Sequence, residues 1–301
     1  MTSKAVAGKV VIVTGAGRGI GREVAIGMAR EGAKVIVNDL GVSLTGEPDA
    51  VSPAQETVEL IKAEGGEAVA NTDSVADWDA ARRMVALALD HFGRLDVVVN
   101  NAGIIRELSF ADTSPVDFDL TVKVHLYGSF YLSRAAADLF KAQKSGAYIH
   151  MTSSTATIGR RNLSAYAAAK MGVVGLMRSI ALDMAEYNVR SNCISPAAAT
   201  RMSPKRATAA QEEAFRNTVR SDQVAPITVF LASDAAAKIN GQIIGVRRNE
   251  LYLYSQPRPV RTLHRADGWT IEALNEQLVP AWSASFVPLE ETGDVFAWAA
   301  I

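Results

Sequence analysis

The stretch VVIVTGAGRGIG, residues 10–21, decides the fold. An apolar run leads directly into a glycine cluster, and a helix-favouring sequence follows. In a strand–turn–helix unit of this kind, Gly15 permits the tight turn, Gly19 lets backbone amides approach a pyrophosphate, and Gly21 allows the helix to pack closely on the strand. The phosphates would lie at the helix N-terminus, where unpaired amides attract anions. The predicted cofactor-binding residues of this loop are Gly15, Arg18, Gly19, Ile20 and Gly21.

The same strand–helix rhythm continues along the chain. Short runs rich in Val and Ile alternate with longer helical patterns, which is typical of a parallel sheet buried on both faces. We therefore predict an α/β protein with a Rossmann-like doubly wound parallel sheet of about seven strands and helices on both faces. The predicted strands are KVVIVTG, AKVIVND, EAVAN, LDVVVNN, GAYIHMTSS, VRSNCISP and NGQIIGV, and the predicted helices cover residues 22–31, 53–64, 77–92, 164–187 and part of 115–141.

No low-complexity linker divides the chain, so residues 1–246 are predicted to form a single Rossmann-fold domain. The polar, helix-prone segment 200–224 interrupts the rhythm after a strand end, and we interpret it as a lid over a ligand. Residues 247–301 are rich in Arg, Pro and Trp and are too few for a separate domain. They are predicted to form a C-terminal extension that packs on the core or on a partner subunit.

Composition excludes several classes of function. The 301 residues carry a formal net charge of -1, so no nucleic acid or anionic membrane partner is expected. The expected partners are small molecules or copies of the chain itself. One cysteine, Cys193, excludes an intramolecular disulfide framework, and with four scattered histidines it leaves no zinc pattern. The apolar N-terminal run is too short for a signal peptide, and no membrane span is expected. These features favour a cytoplasmic location, and Cys193 is interpreted as an inert core thiol.

The residue that ends the predicted second strand indicates the nucleotide. Asp39 closes KVIVND at the expected distance after the glycine cluster. A carboxylate there accepts hydrogen bonds from both adenosine ribose hydroxyls and repels a 2′-phosphate, so NAD is favoured over NADP. Arg18 is a competing feature, since it could approach a 2′-phosphate. We favour Asp39, because a dianionic phosphate beside a carboxylate costs more than a flexible arginine recovers; the alternative is that Asp39 only forms a turn.

The run SAYAAAKMG, residues 164–172, carries one tyrosine and one lysine among alanines. Alanine favours helix, so Tyr166 and Lys170 lie on one face about one turn apart. A phenol titrates near pH ~10, and an ammonium about 5 Å away stabilises the phenolate. Tyr166 is therefore a candidate proton-transfer residue. The alternative is a half-buried tyrosine beside a solvated lysine.

Together these features resemble the short-chain dehydrogenase/reductase family over residues 9–246. TGAGRGIG is similar to the family's cofactor loop, NNAG at 100–103 to its strand-four motif, and YAAAK to its Tyr-x-x-x-Lys pair. Ser153 in MTSS precedes Tyr166 by the family's usual thirteen residues. SPAAATRM is similar to the stretch that contacts the nicotinamide, and NTDSVAD to the one beside the adenine.

The resemblance implies roles for individual residues. Ser153, Tyr166 and Lys170 would be catalytic: Tyr166 takes the alcohol proton as hydride leaves for the nicotinamide, Lys170 lowers the tyrosine pKa, and Ser153 bonds the substrate oxygen. Cofactor contacts implied beyond the glycine loop and Asp39 are Asp73, Asn101, Ala102, Gly103, Tyr166, Lys170, Pro196 and Thr200. Family members commonly pair through the helices in 115–141 and 164–187, so a homodimer or homotetramer is expected.

Pieces such as VNDLG, GGEAVANTDSV and FGRLDVVVNNAGI are similar to a subgroup, the (3R)-hydroxyacyl-CoA dehydrogenase domains of peroxisomal multifunctional enzymes. The resemblance implies an NAD-dependent oxidation of a 3-hydroxyacyl-CoA in lipid or sterol side-chain breakdown. A hydroxysteroid dehydrogenase and a 3-oxoacyl carrier-protein reductase are alternatives. A non-catalytic NAD-binding protein is a further one, which the intact Ser153, Tyr166 and Lys170 disfavour.

Two features depart from the family pattern. His125 stands where the family usually has an asparagine that holds a proton-relay water, and a catalytic and a purely structural role both remain open for it. Arg160 and Arg161 lie between the serine and the tyrosine, where glycine-rich residues are usual. They could meet the phosphates of a coenzyme A thioester, or they could simply lie in a solvated loop.

Overall fold

The structure is a computed structural model that describes residues 4–42, 50–203 and 208–298. The opening stretch forms strand β1 (Val10–Thr14) and helix α1 (Gly19–Arg30), followed by strand β2 (Lys34–Asn38). Every residue of β1 is buried, because helices cover both faces of the sheet. The glycine cluster therefore folds into the predicted strand–turn–helix unit.

The remaining elements follow the predicted rhythm. They are α2 (Pro53–Ala63), β3 (Glu67–Asn71), α3 (Trp78–Phe92), β4 (Val97–Asn100), α4 (Pro115–Val122), a π-helical turn (Lys123–Tyr127), α5 (Gly128–Gln143), β5 (Gly146–Met151), α6 (Ser154–Thr157), α7 (Ser164–Asp183), β6 (Val189–Ala197), α8 (Ala209–Thr218), α9 (Ala225–Ala232), β7 (Ile243–Arg247), β8 (Glu250–Leu253), α10 (Ile271–Trp282) and α11 (Thr292–Val295). Short 3₁₀ turns lie at Ala185–Tyr187, Ser221–Val224, Asp234–Ala236 and Ser283–Ser285.

The strands form one sheet in the order β3-β2-β1-β4-β5-β6-β7-β8. All neighbouring pairs are parallel except β7 and β8, which are antiparallel. The prediction of a doubly wound parallel sheet is confirmed. The chain order reverses between β1 and β4, and in open α/β sheets ligands bind at the carboxyl ends of the strands beside such a switch point.

The eighth strand was not predicted, and it comes from the segment assigned to the C-terminal extension. Arg248, at φ 57, takes a left-handed conformation in the two-residue turn that joins β7 to β8. Gly245 on β7 faces the rings of Tyr252 in β8 and of Tyr254 directly after it: a Cβ atom there would lie 2.8 Å from Tyr254 Cε2. The strand forms because ELYLY alternates, with Leu251 and Leu253 exposed and the tyrosines half-buried.

The core has a layer on each side of the sheet. Val11 and Val13 of β1 pack towards α1 and α9, whereas Val10 and Ile12 pack towards α3 and α5. This division follows from the alternation of side chains along a strand. The result is a rigid platform that holds the carboxyl ends of the strands in fixed positions.

Helices α4 and α5 run on through the π-helical turn that carries His125. Such turns insert one extra residue into a helix and are frequent at functional sites. His125 in this turn is buried, at 2% exposure. The sequence pattern predicted a helix in this region but not its π-helical turn.

Helix α7 is long and apolar enough to cross a bilayer, as judged by length and composition among the described residues. This match is weak evidence, because the core helix of a soluble protein passes the same test. In the fold, α7 packs along β6 and buries Ala169, Val173 and Met177.

Candidate active site

A cavity of about 660 Å³ lies at the carboxyl ends of β4, β5 and β6. The candidate residues Ser153, Tyr166, Lys170 and His125 all line it, and Ile20, Asn101, Gly103, Pro196 and Thr200 line it as well. The structure therefore brings the predicted catalytic group and part of the predicted cofactor loop into one space.

The glycine turn has the geometry that close backbone packing requires. Gly15 and Gly19 have φ values of 63° and 54°, a left-handed conformation that favours glycine. A Cβ atom on Gly15 would lie 2.8 Å from Ala102 Cα, and one on Gly21 would lie 2.5 Å from Asn101 Nδ2. Side chains at these positions would push the turn away from the strand-four motif.

The N-terminus of α1 is suited to an anion. Its N-cap residue, Arg18, is extended and makes no side-chain cap hydrogen bond, whereas Ser52 and Asp77 cap α2 and α3. An uncapped first turn leaves amide groups and the positive end of the helix dipole available to a phosphate. These residues fit the pyrophosphate of a dinucleotide.

Thr14, the last residue of β1, ties β1 to β4. The amides of Asn101 and Ala102 both donate to Thr14 Oγ1, at 3.0 Å each. The Asn101 side chain returns a hydrogen bond to Thr14 O at 2.8 Å. This network fixes the NNAG motif against the glycine turn. Its sequence signal was the threonine directly before the first glycine.

Asp39 lies beside the glycine turn, as predicted. Its carboxylate accepts hydrogen bonds from the Gly17 and Gly41 amides, each at 3.0 Å, and the residue is 8% exposed. These bonds hold the carboxylate at the end of β2 and leave it further acceptor sites. The turn-forming role and the predicted ribose-binding role are thus compatible.

The other predicted adenine-side residue is held by an arginine. Asp73 pairs with Arg83 at 2.6 Å, and Asn71 Nδ2 donates to it at 3.0 Å. The Arg83 hydrogen bond lowers the pKa of the Asp73 carboxyl. Asp73 thus stays ionised at the end of the β3 segment.

The loop after β6 lies over the glycine turn. Thr200 approaches Gly19, where an added Cβ would meet Thr200 Cγ2 at 3.6 Å. Arg201 Nη1 donates to Val42 O at 3.0 Å, so the loop reaches across to the segment after β2. The predicted lid, 200–224, begins in this loop and includes α8; its residues 204–207 lie outside the described residues. Phe215 of α8 lines the cavity.

The three central residues come together through α7 and the end of β5. Lys170 is buried at 5% exposure, and its Nζ donates to Met151 O at 2.6 Å. The same ammonium lies 5.7 Å from the centre of the Tyr166 ring. Ser153 hydrogen-bonds the Tyr166 side chain and caps α6. Lys170 is thus not solvated, which excludes the alternative of a half-buried tyrosine beside a solvated lysine.

The pKa directions differ from the expectation for Lys170 and Tyr166. Burial raises the pKa of Tyr166, and only the Ser153 hydrogen bond acts to lower it. Burial also lowers the pKa of Lys170 to about 8. Loss of water dominates at the phenol in this arrangement, and the Lys170 ammonium is directed to the Met151 carbonyl. That Lys170 lowers the tyrosine pKa stays a prediction.

His125 packs at the same centre. Its ring meets the Tyr166 ring edge-on, with centroids 5.2 Å apart. Nε2 lies 2.7 Å from Ile104 O and 3.2 Å from Ile104 N, and the shorter contact assigns the proton to Nε2. Burial holds the pKa of His125 well below its usual value, so the ring is neutral. Nδ1 is buried and has no hydrogen-bond partner among the described residues.

The imidazole also explains one glycine of the strand-four motif. A Cβ atom on Gly103 would lie 3.0 Å from His125 Nδ1 and would overlap the adjacent ring carbon. The ring therefore rests on the Gly103 backbone. In this chain Gly103 and His125 are structurally coupled.

The two arginines of the loop after Ser153 both face carboxylates. Arg160 lies 3.5 Å from Glu107 and lines the cavity. Arg161 pairs with Glu291 at 2.8 Å, with its side chain 87% exposed. Both guanidinium groups are thus near the cavity mouth or its rim.

Sequence reasoning missed a whole wall of the cavity. It is formed by residues of β7, β8 and the following extension: Val246, Arg247, Tyr252, Tyr254, Glu291, Thr292, Gly293 and Phe296. The period-two alternation of LYLY was the available signal for β8. Nothing comparable marks the contact of Phe296.

The cysteine belongs to the core, and no metal centre is found in the described part of the chain. Cys193 is buried in β6, and burial raises the pKa of its thiol, so it is unreactive. Within the described ranges, no cluster of three His, Cys, Asp or Glu residues could hold a metal ion.

Comparison with known proteins defines the class. A family model described as enoyl-(acyl carrier protein) reductase matches residues 15–247. A crystal structure of a short chain dehydrogenase from Mycobacterium avium shares 35% identity with a TM-score of 0.86, covering 96% of this chain and 99% of that one. The chain belongs to the short-chain dehydrogenase/reductase family, and it is an oxidoreductase that acts on CH–OH groups.

Two relatives indicate the branch of the family. The chain is 36% identical to the hydroxyacyl-CoA dehydrogenase ChsB1 of Mycobacterium tuberculosis, covering 87% of this chain and 84% of that protein. It is 41% identical to the peroxisomal multifunctional enzyme type 2 of Mus musculus over 78% of this chain. The match spans only 31% of the mouse protein's length. The resemblance to this subgroup is confirmed.

Proposed function

We propose that the protein is an NAD-dependent dehydrogenase that oxidises the secondary alcohol of a 3-hydroxyacyl-CoA to the ketone. The observation that carries the proposal is the shared cavity, in which Ser153, Tyr166 and Lys170 lie beside the uncapped N-terminus of α1. The name of one relative, the hydroxyacyl-CoA dehydrogenase ChsB1, supports the substrate class.

The catalytic steps assigned to this chain are proton movements and positioning. Ser153 donates a hydrogen bond to the substrate oxygen, and Tyr166 takes the alcohol proton as its own phenolic proton leaves to the next group of a proton path. The nicotinamide supplies the hydride acceptor when bound. Lys170 supplies a positive charge about one helical turn from the phenol, and its pKa of about 8 keeps it largely protonated at neutral pH.

His125 is proposed as the next group of a proton path. Its neutral ring presents an unpaired Nδ1 within a buried site, next to the Tyr166 ring. A buried acceptor without a partner costs about 1–3 kcal/mol, and a bound water would satisfy it. Nδ1 would accept a hydrogen bond from that water and hold it where it takes the proton that leaves Tyr166, while the imidazole itself stays neutral.

NAD is proposed over NADP because of Asp39. The carboxylate accepts hydrogen bonds from two backbone amides at the end of β2, so it cannot rotate away from a 2′-phosphate without losing these hydrogen bonds. Arg18 lies in the same turn and is a possible partner for such a phosphate. The charge of the fixed carboxylate supports NAD.

Arg160 is proposed to meet the phosphates of the coenzyme A thioester. It lines the cavity, and its contact with Glu107 is long at 3.5 Å, so exchange of the carboxylate for a phosphate costs little. Arg161 lies next to it and is far more exposed.

Self-association is proposed through the outer face of α4, α5 and α7. This face exposes apolar side chains, namely Phe118, Tyr127, Phe130, Met171 and Leu182. A second copy of the chain would cover it, in a homodimer or homotetramer. Light scattering coupled to gel filtration tests this, and a monomer at micromolar concentration would contradict it.

A substrate screen tests the function. NADH formation at 340 nm is measured with NAD or NADP against 3-hydroxyacyl-CoAs of several lengths, free hydroxysteroids and short secondary alcohols, and the reverse reaction is measured with 3-oxoacyl carrier protein. The proposal predicts the highest kcat/KM for a 3-hydroxyacyl-CoA with NAD. A preference for a free hydroxysteroid or for the carrier-protein substrate would contradict the proposed coenzyme A thioester as substrate. No turnover with any of these compounds would favour a non-catalytic NAD-binding protein.

A further inference from the structure

The last described part of the extension forms a strap, residues 290–298, that is fastened at both ends. At its first end the amide and the hydroxyl of Thr292 both donate to Gly159 O, at 2.9 and 3.0 Å. Glu291 adds its ion pair with Arg161. Gly159 lies in the loop that joins Ser153 to Tyr166, so this end of the strap is attached to the catalytic loop.

The second end is fastened to the hairpin of β7 and β8. Arg247 donates to Phe296 O at 3.3 Å and to Trp298 O at 2.9 Å, and its guanidinium lies 5.0 Å from the Trp298 ring centre. Glu250 accepts from Arg247 at 3.0 Å and from Trp298 Nε1 at 2.8 Å. The Arg247 and Glu250 side chains are 13% and 14% exposed, so this pair is shielded from water.

Between its two anchors the strap lines the cavity with Glu291, Thr292, Gly293 and Phe296. Phe296 is the one bulky apolar side chain among these four. Its ring packs on Tyr252 with centroids 5.2 Å apart, and Tyr252 lines the same cavity. Two aromatic rings therefore form a wall of the space that holds Ser153 and Tyr166.

We propose that this strap is a specificity element and that Phe296 limits the size of the substrate group that enters the cavity beyond the reacting carbon. The inference rests on the proposed alcohol oxidation at Tyr166 and adds the residue that selects among its substrates. Because the Arg247 side chain donates to the Phe296 carbonyl oxygen and Tyr252 packs on the ring, the ring is a fixed wall. A smaller side chain at position 296 enlarges the cavity without moving the catalytic residues.

The direction of the effect follows from this geometry. A four-carbon substrate needs little of the space that the wall limits, so we expect its kcat/KM to stay near the wild-type value in Phe296→Ala. A substrate with a bulky ring system gains space. Apolar pockets discriminate by about 10–200-fold, so we expect the bulky-to-short ratio of kcat/KM to rise by at least about five-fold.

The experiment measures that ratio for a 3-hydroxyacyl-CoA bearing a sterol-like ring system and for 3-hydroxybutyryl-CoA. Phe286→Ala is the matched control, since Phe286 belongs to the same extension, is 55% exposed and does not line the cavity. Phe296→Leu is a second variant that keeps apolar packing in case the alanine variant is unstable. It should shift the ratio in the same direction by a smaller factor, and Phe286→Ala should leave it unchanged.

The outcomes separate this inference from the proposed function. A ratio within two-fold of wild type in both Phe296 variants, in an active enzyme, overturns the role of the strap alone. If no thioester reacts, the same ratio of kcat/KM is measured with a hydroxysteroid and a short secondary alcohol. A shift of that ratio supports the specificity role of the strap and overturns the proposal of a coenzyme A thioester as substrate. If no alcohol is oxidised, both the role of the strap and the proposed function are overturned.

Discussion

The two ends of the cavity are built in different ways. At the nucleotide end, backbone atoms approach each other closely, and glycines at 15, 19 and 21 are required by φ or by contact. At the substrate end, side chains of the extension make the wall, and Phe296 and Tyr252 meet through ring packing. A backbone requirement restricts a position to glycine, so it can be recognised as a motif in the sequence. A wall of packed side chains accepts many residue types and produces no such motif.

The largest effect on stability that we predict concerns the buried lysine between the two ends. Because burial lowers the pKa of Lys170 to about 8 from 10.5, the unfolded state binds more protons between these pH values. The destabilisation of the folded state by the buried ammonium is complete below pH about 8, and it disappears as the pH rises towards the pKa of Lys170 in the unfolded chain. Wild type should therefore gain up to roughly 3 kcal/mol relative to Lys170→Met across this window.

The measurement is the free energy of unfolding of both proteins from pH 7 to 10.5. Lys62→Met, an exposed site on α2, is the control and should show a flat difference. A flat difference for Lys170→Met as well would show that the ammonium is not desolvated.

At the nucleotide end, Gly21→Ala should weaken NADH binding by about 30-fold, equivalent to roughly 2 kcal/mol of overpacking. The added methyl group would overlap the Gly15 carbonyl and Asn101 Nδ2. Gly293→Ala is the matched change, since nothing lies within 4 Å of a Cβ there. Fluorescence titration measures both variants, and equal affinities would remove the close-packing argument.

Asp39→Asn sharpens the comparison by changing charge with little change in shape. The amide oxygen still accepts one of the two backbone bonds, so the turn persists, but the repulsion of a 2′-phosphate is lost. The ratio of kcat/KM for NAD to that for NADP should fall by at least about ten-fold, roughly 1.4 kcal/mol. Asp39→Ala should also lower the ratio and in addition destabilise the turn. An unchanged ratio in Asp39→Asn would assign nucleotide choice to another residue.

The smallest effect is expected where the two ends meet. Gly103→Ala should lower the free energy of unfolding by about 1 kcal/mol, because the methyl group would meet the His125 ring. Adding His125→Asn should restore part of the loss, so the two changes are not additive. Thermal unfolding of the single and double variants measures the coupling, and strict additivity would contradict it.

The sequence predicted the fold and most of the candidate site for identifiable reasons. Runs of Val and Ile with glycine turns specify buried parallel strands, and Ser153, Tyr166 and Lys170 carry motif spacing. The antiparallel β8 was missed although LYLY alternates, because the segment had been assigned to an appendage. The raised pKa of Tyr166 could not be predicted, since it depends on how completely the folded chain buries the phenol. The strap was also missed, since Phe296 reaches the cavity only through tertiary contacts with Arg247 and Tyr252.

The central claim is that the phenol of Tyr166 transfers the proton beside the bound nucleotide. The most direct measurement compares NADH formation from a 3-hydroxyacyl-CoA by wild type and Tyr166→Phe, together with the dissociation constant for NADH. We predict that kcat falls by about 10²–10⁴-fold, the usual contribution of a general acid–base group, while the NADH dissociation constant stays within two-fold. Turnover that survives at the wild-type rate in Tyr166→Phe would contradict the claim.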